Sequence, residues 1–120
     1  DGDIVIGKNS YIGSYSTIQS SKNFAVRIGN NCRISHNVRI YTENKDPDQD
    51  FRQKELKVKR GNVIIEDDVW IGANTFINQD IKIGKNSVIG ANSIVTKNIS
   101  PFSICGGIPA KIIRMKNVKR

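Results

Sequence analysis

Residues 65–100 read IEDDVWIGANTFINQDIKIGKNSVIGANSIVTKNIS, and the stretch divides without remainder into blocks of six. Ile65, Ile71, Ile77, Ile83, Ile89 and Val95 open the blocks. Six matches neither the helical period of about 3.6 nor the alternation of a simple strand. A strict longer period is the signature of a repeat architecture. The same spacing occurs upstream in two shorter pieces, Ile6, Ile12 and Ile18, then Ile28, Ile34 and Ile40. The anchors thus fall into four triplets, and both breaks in phase come at the end of a triplet, after Ile18 and after Ile40. This predicts that three hexads make one turn of a triangular coil, with a short strand and a bend in each. Both insertions would leave from one corner, and turns would stack at the strand spacing of about 4.8 Å.

The residues between anchors fit that reading. Three positions after an anchor stand Asn9, Asn31, Asn37, Asp68, Asn74, Asp80, Asn86, Asn92 and Asn98. Asn and Asp enter the left-handed backbone region more readily than other non-glycine residues, because their short side chains bond locally. One position after the anchor, Gly7, Gly13, Gly29, Gly72, Gly84 and Gly90 suit a corner with little room for a side chain. Four positions after it come small or β-branched residues such as Ser10, Ser16, Cys32, Val38, Thr75, Ser87 and Ser93. An antiparallel sandwich would not require a fixed six-residue phase.

The chain of 120 residues is of single-domain length. No apolar run approaches the roughly 18 residues of a membrane span, and no signal peptide is expected. Cys32 and Cys105 form neither a disulfide framework nor a metal-binding spacing. Cys32 occupies an inward, small position, which predicts a buried free thiol and fits a reducing cytoplasm. The formal net charge is +8, with Lys111, Arg114, Lys116, Lys119 and Arg120 gathered at the end. That excess suits an anionic partner such as a nucleotide cofactor. Aromatic residues interleaved with the basic ones are sparse, so no nucleic-acid groove is expected.

With the repeat in place, the segment from Ile65 through IPAKIIR resembles the hexapeptide-repeat acyltransferases, in the maltose, galactoside and polysaccharide O-acetyltransferase branch. The resemblance implies an all-β fold, a left-handed parallel β-helix of about four triangular coils. The helix would occupy residues 1–100, with a loop insertion at 41–62 and a carboxy-terminal extension, 101–120, crossing its end. It also implies a homotrimer, with acetyl-coenzyme A as acyl-donor substrate in the groove between neighbouring subunits and no metal. Ala73 and Ala91 would line the pantetheine arm, Thr96 and Lys97 would approach the nucleotide, and Lys111 and Arg114 its phosphates. Phosphate charge favours such donors. Trp70, one residue before an anchor, is expected to point outward and to form a groove wall.

Transfer of an acetyl group to a hydroxyl needs a base, and histidine suits because it titrates near neutrality. In the O-acetyltransferases that this chain resembles, the base is a histidine in the loop after the second coil. The matching position in IYTENKDPDQDF is Lys45. A lysine amine is a poor base at neutral pH unless burial or nearby cations depress it, and here Glu43, Asp46, Asp48 and Asp50 surround it in sequence. His36, the one histidine, is the substitute candidate. It stands two residues after Ile34, in a setting similar to that of the catalytic histidine of serine acetyltransferases. Asp46, Asp48 or Asp50 would orient it if the loop folds back or comes from a neighbour. Phe51, Arg52, Lys54, Lys57, Lys59 and Arg60 of the insertion would contact a sugar or an anionic carrier. A β-helical carbonic anhydrase needs three histidine ligands for zinc, which one histidine per chain does not supply. The expected function is therefore acetyl-coenzyme A dependent O-acetyl transfer to a sugar or polysaccharide precursor in the cytoplasm. Two alternatives stand beside it: a non-catalytic coenzyme A-binding or scaffold member, and an N-acetyltransferase of an amino sugar.

Overall fold

The inward aliphatic residue of each hexad can be buried only if the next round of chain stacks on it, and the strands are arranged accordingly. In the computed structural model, which describes residues 1–119, strands β1 (Asp3–Ile6), β2 (Tyr11–Ile12) and β3 (Thr17–Gln19) make a first round. β4 (Ala25–Ile28), β5 (Arg33–Ile34) and β6 (Arg39–Tyr41) make a second. A hairpin follows, β7 (Glu43–Lys45) with β8 (Val58–Arg60). β9 (Val63–Ile65), β10 (Trp70–Ile71) and β11 (Phe76–Ile77) continue the coil, then β12 (Ile81–Ile83), β13 (Val88–Ile89) and β14 (Ile94–Val95). β15 (Ser103–Gly107) and β16 (Ala110–Met115) end it. Among the described residues every regular element is a strand, and no helix is long and apolar enough to cross a membrane. Arg120, which the sequence groups with the basic end, lies outside the described residues.

The rounds pair in parallel into three sheets. Sheet 1 is β1-β4-β9-β12, sheet 2 runs β2-β5-β10-β13-β15-β16, and sheet 3 is β3-β6-β11-β14. Register sets anchor on anchor: Ile28 pairs with Ile6 and Ile65, Ile71 with Ile34 and Ile89, and Ile77 with Ile40 and Val95. The core is therefore three columns of aliphatic side chains, and Ile34, Ile40, Ile65, Ile71, Ile77, Ile83 and Ile89 are all fully buried. Ile6 is 45% exposed, because among the described residues no strand stacks on the outer edge of β1.

The corners behave as their residues require. Asn9, Asn31, Asn37, Asp68, Asn74, Asp80, Asn86 and Asn92 all have φ between 56° and 62°. Asn98 departs from this set. Its Oδ1 instead accepts a hydrogen bond from Lys82 N at 2.8 Å. Small inward residues satisfy corner carbonyls: Thr75 Oγ1 donates to Gly72 O at 2.8 Å and Ser93 Oγ to Gly90 O at 2.7 Å. Cys32 and Cys105 are buried free thiols. Burial pushes the Cys32 thiol up from its ordinary range.

Two features differ from the sequence expectation. The coil does not end at Val95: Ile83 bridges to Ile99, and Ile89 pairs with Cys105. That round is two residues shorter than the uninterrupted one before it, from Ile65 to Ile83, so the anchors lose their sequence phase while keeping their place in space. The carboxy-terminal segment thus first adds β15 to sheet 2 and only then reverses into β16, whose antiparallel pairing covers the last edge of that sheet. The insertion, expected as a loop, contains the antiparallel pair β7 and β8.

Candidate functional site

The corner between sheet 2 and sheet 3 gathers several of the candidate residues. At the second position after each anchor it presents Ser14, His36, Ala73 and Ala91, one per round. Backbone hydrogen bonds tie the rungs: Asn37 N to Ser14 O at 2.9 Å, Asn74 N to His36 O at 3.2 Å, and Asn92 N to Ala73 O at 2.9 Å. The glycines one position earlier let the rungs touch. A Cβ on Gly13 would lie 2.5 Å from His36 N, and one on Gly72 would lie 2.5 Å from Ala91 N. Beyond His36 the corner carries only the methyls of Ala73 and Ala91, a row of small side chains.

One position further along the corner runs a side-chain ladder that the sequence reading did not anticipate. Asn37 Nδ2 donates to Asn74 Oδ1 at 2.6 Å, and Asn74 Nδ2 donates to Asn92 Oδ1 at 3.1 Å. The signal lies in the recurrence of asparagine at one phase, which stacks the amides as well as setting the backbone. The His36 imidazole is exposed and makes no hydrogen bond among the described residues.

Trp70 projects outward, 52% exposed, in the outer row of sheet 2 between Arg33 and Val88. It reaches the corner from the strand that leads into Ala73. Lys111 and Arg114 lie on β16 at the far edge of the same sheet, opposite Gly106 and Ile104. Thr96 and Lys97 do not join this group. They follow β14, at the corner between sheet 3 and sheet 1, so within one chain sheet 3 separates them from Ala73 and Ala91. Lys97, Lys111 and Arg114 are exposed, and none enters the three ion pairs among the described residues.

The insertion leaves from the corner of Thr96 and Lys97. Its stem is fixed by Glu43, which accepts from Ser21 Oγ at 2.5 Å and from Arg60 Nε at 3.3 Å. These partners, Ser21 first, hold the Glu43 carboxyl below the usual glutamate range. Ser21 N donates to Thr42 Oγ1 at 2.8 Å, and Asn44 Nδ2 donates to Gln79 Oε1 at 2.7 Å. Lys45 ends β7, exposed, beside a depression lined by Gln19, Tyr41, Glu43 and Asn44. Two acids of the loop, Asp46 and Asp50, are engaged locally. Asp46 Oδ1 accepts from Asp48 N at 2.9 Å, and Asp50 pairs with Arg52 at 2.9 Å. Within the chain, none of Asp46, Asp48 and Asp50 meets His36.

Residues 62–97 match the bacterial transferase hexapeptide (six repeats) family, and residues 3–42 match the hexapeptide repeat of succinyl-transferase. Galactoside O-acetyltransferase of Escherichia coli is 37% identical over 115 residues, covering 96% of this chain and 55% of that protein. The chain spans about half the length of the curated relatives it matches. Among solved structures, a hexapeptide-repeat-containing acetyltransferase from Vibrio cholerae is 31% identical with a TM-score of 0.69, covering 97% of this chain and 72% of that one. A galactoside acetyltransferase in complex with coenzyme A is 29% identical with a TM-score of 0.77, covering 96% and 65% of the two chains. The stacked hexads, the corner asparagines and these likenesses lead to one conclusion: the chain belongs to the hexapeptide-repeat acyltransferase family.

Proposed function

We propose that the chain transfers an acetyl group from acetyl-coenzyme A to a hydroxyl of a sugar or polysaccharide precursor, with His36 as general base. The observation that supports this most is the stacking of His36 in one corner column with Ala73 and Ala91, next to Trp70. The row of small side chains at Ala73 and Ala91 suits a linear pantetheine arm running toward His36. Its free ring nitrogen would take the proton of the acceptor hydroxyl as that oxygen bonds to the thioester carbonyl carbon. The carbon–sulfur bond then breaks, and the thiolate receives the proton. Backbone N–H groups of the corner would face the developing oxyanion.

The cofactor reading gathers Trp70, Ala73, Ala91, Thr96, Lys97, Lys111 and Arg114 around acetyl-coenzyme A. Because Thr96 and Lys97 sit across sheet 3 from the alanines, it requires a groove shared between chains. A homotrimer of left-handed, four-coil helices meets that requirement, with the 41–62 hairpin of one subunit reaching the next. The same arrangement would let Lys45, Asp46, Asp48 or Asp50 of one chain approach the acceptor bound at another. The reading assigns the reaction to the cytoplasm and uses no metal.

A second reading, a coenzyme A-binding member without transferase activity, is favoured by Lys45. The residue stands exposed where the resemblance implies a base, and no loop acid supports His36 within the chain. Calorimetric titration with acetyl-coenzyme A, followed by a screen of hydroxyl and amino sugars with the parent and His36→Ala, separates the readings. Saturable binding near one site per chain, with His36→Ala lowering transfer by about 10² to 10⁴, is expected. Binding without transfer by the parent would favour the second reading, acetylation of amines alone would favour an N-acetyltransferase, and no binding at millimolar donor would refute both coenzyme A readings.

A further inference from the structure

The third position after each anchor of sheet 2 is Tyr15, Asn37, Asn74 and Asn92, with φ of 64°, 56°, 61° and 61°. Three rungs carry the residue type that this backbone favours. The fourth carries a bulky ring, which is uncommon there and costs backbone strain. Tyr15 gains no burial in return, being 85% exposed. Residues held in strained conformations cluster at functional sites.

The corner is held firmly beneath the ring. Arg39 Nη1 donates to the Tyr15 carbonyl and to Thr17 Oγ1. Both neighbours of Tyr15 bond to both neighbours of His36: Asn37 N donates to Ser14 O at 2.9 Å, and Ser16 Oγ donates to Ser35 O at 3.2 Å. Tyr15 and His36 therefore leave the corner from adjacent rounds, which approach so closely at Gly13 that a Cβ there would lie 2.5 Å from His36 N.

We propose that Tyr15 is a specificity-determining residue: its ring is the surface on which a neutral pyranose stacks, presenting a hydroxyl toward His36. A phenol ring offers an apolar face to the C–H side of a sugar and a polar tip to its hydroxyls. The choice of a pyranose and its presentation to His36 rest on the transferase reading above.

The test uses the full chain with tyrosine rings isotopically labelled, titrated by NMR with methyl β-D-galactopyranoside and methyl α-D-glucopyranoside in the absence of acetyl-coenzyme A. A saturable shift of the Tyr15 resonances with at least one glycoside is expected. Tyr15→Phe should retain it, whereas Tyr15→Asn should weaken sugar binding about tenfold, read at the His36 ring, while raising the Tm. No shift at Tyr15 with either sugar would overturn the proposal, as would unchanged sugar affinity in Tyr15→Asn. Should Tyr15 bind sugar while His36→Ala keeps full transfer activity, the base assignment falls and the stacking surface stands.

Discussion

Replacing Asn74 with alanine and, in parallel, with glycine separates what its side chain does from what its backbone demands. The amide accepts from Asn37 and donates to Asn92, at 2.6 and 3.1 Å. Both bonds are solvent-exposed, so their loss costs about 1 kcal/mol together. Alanine also meets the left-handed backbone, φ 61°, at a penalty of about 1–2 kcal/mol. Glycine avoids that penalty but loosens the unfolded chain by about 0.4–1 kcal/mol. The alanine variant should therefore lose about 2–3 kcal/mol and the glycine variant about 1 kcal/mol less. In a helix interior the order is reversed, glycine being worse by about 1 kcal/mol. Urea unfolding followed by far-ultraviolet circular dichroism, at one protein concentration, reads the order directly if the slopes agree. An alanine variant as stable as the glycine variant would refute the corner argument.

A glycine pair tests the stacking itself. Gly72→Ala puts a methyl 2.5 Å from Ala91 N and 2.8 Å from its Cα, and should cost about 1–3 kcal/mol or more in urea unfolding. Gly90→Ala meets nothing nearer than Cys105 O at 3.4 Å and should be close to neutral. Ile77→Ala empties a fully buried place in the sheet 3 column and should lower unfolding stability by about 2–5 kcal/mol. Glu43 has its folded pKa depressed by Ser21 and then Arg60, so its contribution to hairpin anchoring is present above the ordinary glutamate value and is lost as pH falls through the folded one. The NMR signals of its two partners, Ser21 and the Arg60 guanidinium, should shift with acid in that window for the parent and much less for Glu43→Gln; identical profiles would sink the anchoring role.

The strand columns were legible because each buried side chain obeys a local rule repeated many times. Inward position, left-handed corner and small corner residue all follow from the phase of Ile65 and its successors. Ile99 and Cys105 were not legible as anchors, because a corner shortened by two residues breaks the count along the chain while the pairing with Ile83 and Ile89 preserves it in space. Tyr15 and Phe102 share the left-handed corner conformation, with φ of 64° and 60°, yet neither residue type announces it. His36, Ala73 and Ala91 could be placed on one corner from phase alone. The bonds of Glu43 to Ser21 and Arg60 could not, since they lie between and within the two insertions, which carry no period.

All the irregular chain between the first three rounds leaves from one vertex of the triangle, and the pairings on either side of it are undisturbed. Ile28 still lies on Ile65 although the whole hairpin intervenes. Alignment in this molecule is kept by what lies underneath and not by distance along the thread. The prism is consequently closed to length changes along its three faces but open at a single seam, where new sequence can be sewn in without moving any layer. That seam is the natural place to graft a foreign loop, and the two remaining vertices, where glycine backbones touch, are where grafting should fail.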